Sequence, residues 1–155
     1  MQLSLYTDYA CRTLMYLALR DRDERSSIAA IAAAYNISGN HLIKVVHSLG
    51  KLGFIETTRG RNGGIRLARP AENIRMGDVI RQTETNMNLV ECFNPATNSC
   101  PITGPCGLKP WLWEAMEAFL TSLDRVTLAD TVINRNALSR SLDIKAVERT
   151  QDECV

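Results

Sequence analysis

The stretch from Phe54 to Arg69 constrains this chain more than any other. Two β-prone runs, FIETT and IRLAR, flank Arg59-Gly60-Arg61-Asn62-Gly63-Gly64. Asn-Gly tolerates the positive φ that tight turns need, so the segment reads as a β-hairpin. Gly53 stops whatever precedes it, and Pro70 ends the second strand because it has no N–H for a ladder. Upstream, Leu42, Val45, Leu49 and Leu52 recur every three or four residues, the period of a helix with one buried face. The opposite face carries Asn40, His41, Lys44, His47 and Lys51, and Ser38 stands where the helix needs a cap. Ser27 is placed to cap an Ala-rich helix over 28–35 that ends at Asn36. A first amphipathic helix over 7–20 uses Tyr9, Leu14, Leu17 and Ala18, and a charged loop at 21–25 follows it.

Three helices and a hairpin, with the turn Tyr35-Asn36-Ile37-Ser38 between the second and third helices, describe a winged helix-turn-helix. The expected fold is therefore mainly α with a small β-hairpin, the winged unit spanning 1–75. In a major groove, Ser38, Asn40, His41, Lys44 and Ser48 would reach base edges or phosphates. At the hairpin tip, Arg59, Arg61, Asn62 and Gly63 suit a narrow minor groove, whose negative potential attracts arginine. The net charge of +1 hides an asymmetry that fits this placement. Residues 1–75 carry 11 Lys/Arg against 6 Asp/Glu, and residues 76–155 carry 7 against 11. A winged helix can also act as a protein-interaction module with solvated arginines, but the local basic excess favours DNA. His41 and His47 lie six apart on one helix and cannot share a metal.

At 155 residues and 45% hydrophobic, the chain can bury one core and carry a second small element. A helix over 76–85 with Met76, Val79 and Ile80 precedes a loop at 86–107 rich in Asn, Pro, Thr and Gly. From Leu108 to Val126, the residues Leu108, Leu112, Ala115, Met116, Phe119 and Leu123 draw a long apolar stripe. One side of a small domain, or a copy of the same chain, would cover it. Residues 76–135 thus form a second region, and 136–155 read as a flexible polar tail. No secretory leader and no run of about 18 apolar residues is visible, so the expectation is a cytoplasmic protein with no membrane span.

Three of the five cysteines, Cys92, Cys100 and Cys106, lie in that loop with C-x7-C-x5-C spacing. Clustered thiols in a cytosolic chain point to metal or redox chemistry, and a loop can wrap a soft metal or an iron–sulfur centre. Zinc ribbons use close C-x2-C pairs, which are missing, and a thiol switch needs only two of the three. A fourth ligand has to come from Cys11, Cys154, Asp8, Glu91 or an exogenous thiol, since no histidine follows His47. Cys11 is most simply a small core residue, and Asp8 lies one turn before it. The chain offers no Ser/His/Asp arrangement and no phosphate-cradling P-loop, so an enzyme is not expected. From a different class, a cluster-carrying electron-transfer or scaffold protein is the alternative.

These residues resemble the bacterial Rrf-type winged-helix repressors that carry an iron–sulfur cluster. The likeness is dense at Thr7-Asp8-Tyr9, at NHLIKVVHSLGKLGFIETTRGRNGGIRL, at GDVIRQTE, at LVECF…CPITGPCGLK and at TLADTV. The branch that senses nitric oxide is the most similar, and an iron-status branch shares the cysteine spacing. A third branch ligates through a histidine three residues after the last cysteine, where this chain has Lys109. The resemblance implies a [4Fe-4S] cluster on Cys92, Cys100 and Cys106, with a [2Fe-2S] centre as the alternative. It implies Asp8 of the partner subunit as fourth ligand and the helix from Leu108 as the dimerisation helix. It implies a homodimer on an inverted-repeat operator in double-stranded DNA, released when nitric oxide reaches the cluster.

Overall fold

A computed structural model of the chain describes residues 2–60 and 63–144. Helix α1, Leu5–Ala18, begins where the Ser4 hydroxyl accepts the Thr7 N–H, satisfying one of the free donors of a helix start. Its buried face includes Ala10, Leu14 and Leu17, and the helix packs against three later helices and the second strand. Helix α2, Ile28–Tyr35, is capped by the Ser27 side chain as expected and ends at Asn36 in the left-handed region (φ 51, ψ 49). Helix α3, Gly39–Lys51, buries Leu42, Val45, Val46 and Leu49, the same-face series that its periodicity predicts. Ser38 holds the N-cap position, yet its hydroxyl makes no capping bond, unlike the cap expected of it.

Strands β1, Ile55–Thr58, and β2, Gly64–Leu67, pair antiparallel with Ile55 opposite Leu67 and Thr58 opposite Gly64. The expected hairpin is there, with β1 starting one residue later than FIETT, and β2 starting one residue before IRLAR and ending two residues short of it. Phe54 and Ile65 are buried at its base against the helices. Ser26 adds a bridge to Ile65, with hydrogen bonds of 2.9 Å in both directions, so the segment entering α2 steadies the wing. The wing tip turns through Gly60 (φ 105), and the Gly63 N–H closes the turn on the Gly60 carbonyl at 2.9 Å. A Cβ at Gly63 would lie 2.4 Å from the Thr58 carbonyl oxygen, so the turn itself demands glycine there.

A 3-10 turn at Ala71–Asn73 leads to α4, Met76–Thr83, which buries Met76, Val79, Ile80 and Thr83 and packs on α1. The loop that follows contains one further 3-10 turn, Glu91–Phe93. Helix α5, Leu108–Asp124, packs on α4 and buries only Met116 and Leu120 of its 17 residues. Leu108, Trp111 and Trp113 stay at least half exposed. Helix α6, Leu128–Thr131, starts with a Thr127–Asp130 capping box and returns to the α1 core through Leu128 and Val132. Helix α7, Arg135–Ser141, replaces the start of the expected tail, and Ile144 beyond it is buried. Arg135 reaches back to the Ala18 and Leu19 carbonyls at 2.9 and 3.0 Å, where a cation favours a helix C-terminus. The rest of that tail, 145–155, lies outside the described residues. Among the described residues, no helix is long and apolar enough to cross a membrane.

Candidate nucleic-acid interface and cysteine loop

On α3, Asn40, His41, Lys44 and His47 are exposed, and Ser48 is half-buried at the edge of the same face. The exposed Ser38 hydroxyl stands at the start of this face, free of the cap bond it was expected to make. Arg59 is exposed on the wing, and Gly63 forms the turn already described. Arg61 and Asn62, also expected to contact DNA, lie outside the described residues. The core thus turns donors of one helix and one wing to solvent, as a groove-reading surface requires. Tyr9 on α1 stacks on His41, ring centroids 6.3 Å apart at 29°. Sequence periodicity assigned Tyr9 to the apolar face of α1 and gave no sign of this contact with the reading helix.

The described cysteines are all free thiols and all half-buried. Cys92, Cys100 and Cys106 share the loop between α4 and α5, a soft donor set whose chemistry suits an iron–sulfur centre. Among the described residues, no three His, Cys, Asp or Glu side chains converge to hold a metal. Polar bonds do draw two of the cysteine segments together. Glu91, beside Cys92, accepts from both the backbone N–H and the hydroxyl of Ser99, beside Cys100. Those Ser99 donors hold the Glu91 carboxyl below the usual carboxylate range. Asn98 accepts the Cys100 N–H at 3.1 Å, and the Thr103 hydroxyl donates to the Cys100 carbonyl at 2.8 Å. Phe93 packs edge-on against Trp113 of α5, 5.2 Å between centroids, fastening the loop to the long helix. Glu91, a candidate ligand in the sequence, is therefore already occupied within the loop.

Asp8 lies on the first turn of α1 and pairs with Arg12 through both carboxylate oxygens, at 3.0 and 2.7 Å. Cys11, one turn on, packs against the core; burial, and then the nearby Asp8 carboxylate, push its thiol up to about 11. Cys154 lies outside the described residues. Sequence reasoning gave no role to Glu84, whose carboxylate accepts from the Ser4 N–H and the Thr7 hydroxyl. That contact joins residues some eighty positions apart, which no local pattern announces.

The family model Rrf2, described as iron-dependent transcriptional regulator, matches residues 3–134. The HTH-type transcriptional regulator NsrR of Geobacillus kaustophilus is 54% identical over 142 residues, 92% of this chain and 96% of that protein. The regulator of the same name from Shouchella clausii is 51% identical over 149 residues, 96% of this chain and all of its own. Among solved structures, Staphylococcus aureus CymR superposes with a TM-score of 0.64 at 29% identity, covering 84% of this chain and 97% of that one. With a winged helix, a small two-stranded sheet and a match over most of its length, the chain belongs to the Rrf2 family of transcriptional regulators.

Proposed function

We propose that this protein is a DNA-binding transcriptional repressor that senses nitric oxide through an iron–sulfur cluster. The observation that carries the reading is the adjacency of two parts. Helix α1 packs against α3 and β2, which carry the polar reading face, and against α4, from which the loop of three free thiols departs. Ser38, Asn40, His41, Lys44 and Ser48 would contact base edges and phosphates, while Arg59, Arg61, Asn62 and Gly63 would contact the minor groove.

Cys92, Cys100 and Cys106 would hold a [4Fe-4S] cluster, which supplies iron that nitric oxide can attack. The description of the Rrf2 family as iron-dependent supports the metal, and the resemblance of the cysteine segment supports the nitric oxide signal. Asp8 of the partner subunit would complete the set, leaving its Arg12 pair to do so, whereas Cys11 stays packed in its own core. A carboxylate oxygen binds iron less tightly than a thiolate, which leaves one position open to attack. The α5 face of Leu108 and Trp111 is exposed in one chain and suits a two-fold contact, giving a homodimer and an inverted-repeat operator.

The test is selection from a random-sequence duplex pool with anaerobically isolated protein, followed by its visible absorption spectrum. The reading expects a selected inverted repeat and a brown cluster-bearing protein. Recovery of no preferred sequence would overturn it. A cluster without sequence preference would favour the electron-transfer alternative.

A further inference from the structure

Glu84 sits where the cysteine loop leaves α4. Its own N–H donates to the Ile80 carbonyl at 2.8 Å, which seats it on the last turn of that helix. One carboxylate oxygen, Oε2, accepts the Ser4 N–H at 2.8 Å and the Thr7 hydroxyl at 2.9 Å. Thr7 is fully buried, and the Ser4 hydroxyl donates to it at 3.1 Å. Burial alone would raise the Glu84 pKa, but these donors more than offset it, and the group titrates below the ordinary carboxylate range. At neutral pH the acceptor is therefore charged, and hydrogen bonds to a charged group are stronger than neutral ones.

The structure assigns Glu84 the role of a positioning residue that ties the cysteine loop to α1 and, through the Tyr9–His41 stack, to the reading helix. This rests on the function proposed above. Three observations carry it. Glu84 stands where the loop begins and its carboxylate takes donors from the N-cap and first turn of α1, so displacement of either end breaks those bonds. Both ends are fastened to rigid neighbours, α4 on one side and the buried Thr7 on the other. Tyr9 follows Thr7 by two residues and stacks on His41, an exposed side chain of α3. By contrast, the Arg81–Asp124 pair between α4 and α5 joins partners more than a third exposed and leads to no reading residue.

The experiment compares the affinity of cluster-loaded and cluster-free protein for a duplex selected by the wild type. The ratio of the two affinities is the readout, because general destabilisation affects both states of one variant and cancels. Glu84→Ala should lower that ratio about tenfold, toward unity, with the visible absorption of the loaded protein retained. Glu84→Gln keeps an acceptor oxygen for Ser4 and Thr7 and should restore most of it. A wild-type ratio in Glu84→Ala overturns the assignment. Should Glu84→Ala fail to fold, Thr7→Val, which keeps the buried volume and removes only the hydroxyl, carries the same comparison.

A second arm needs no cluster. In cluster-free protein, Thr7→Val should speed amide hydrogen exchange across 86–92, on the far side of the tie. Unchanged exchange there overturns the tie whatever the cluster does. If the wild type binds DNA equally with and without cluster, the proposed function fails, and the exchange arm still decides on Glu84.

Discussion

In the reading head, Leu14, Leu42, Leu49 and Phe54 are fully enclosed by one another and by neighbouring helices. In the loop from 84 to 107, Phe93 alone is buried, and the chain is held by Glu91 on Ser99, Asn98 on Cys100 and Thr103 on Cys100. Apolar enclosure gives the head a shape that needs no ligand. A few local polar bonds give the loop a shape that a ligand can change. A sensor joined to a reader needs this inequality, since the part that changes must be softer than the part that reads.

The sharpest way to break the comparison is to open the head. Leu49→Ala should cost about 3 kcal/mol, the usual range for a fully buried leucine with its cavity. Denaturant unfolding measures this, and a loss under about 1 kcal/mol would mean the head is as loose as the loop. The thiol inside the head gives the next test. With its pKa pushed up to about 11, Cys11 stays protonated at pH 8, and its labelling by iodoacetamide should rise about tenfold per pH unit until near pH 11. A labelling rate that levels off near pH 9 would show Cys11 exposed. Gly63→Ala places a methyl against the Thr58 carbonyl, so the wing tip must rearrange and DNA affinity should fall about tenfold. Unchanged affinity would remove the wing from the interface. The smallest effect is on the loop itself. Cys100→Ser in cluster-free protein should change stability by less than about 0.5 kcal/mol, as for half-exposed positions. A large loss would make the loop part of the core.

The same inequality decides what could be read from the sequence. Leu42, Val45 and Leu49 repeat at helical spacing because one face of α3 is buried, so the helix and its outward donors were legible. The Asn-Gly-Gly tip and Pro70 marked the wing for reasons of backbone geometry, and Asn36 marked the end of α2. The C-x7-C-x5-C spacing marked the three thiols, but nothing in a polar loop has a period. Glu91 on Ser99 was invisible for that reason, as was the Ser26–Ile65 bridge. The Glu84–Ser4–Thr7 contact was hidden because it depends on α1 and α4 packing, a long-range outcome. Helix α7 escaped notice because its residues are polar and its anchoring, Arg135 on the α1 carbonyls, is likewise long-range.

The central claim is that the state of the cysteine loop governs the reading head. Fluorescence anisotropy of the anaerobic, cluster-loaded protein on its selected duplex, before and after nitric oxide, tests it most directly. The account predicts that nitric oxide weakens binding by at least about tenfold as the visible absorption changes. Unchanged affinity, with the absorption already altered by nitric oxide, would contradict it.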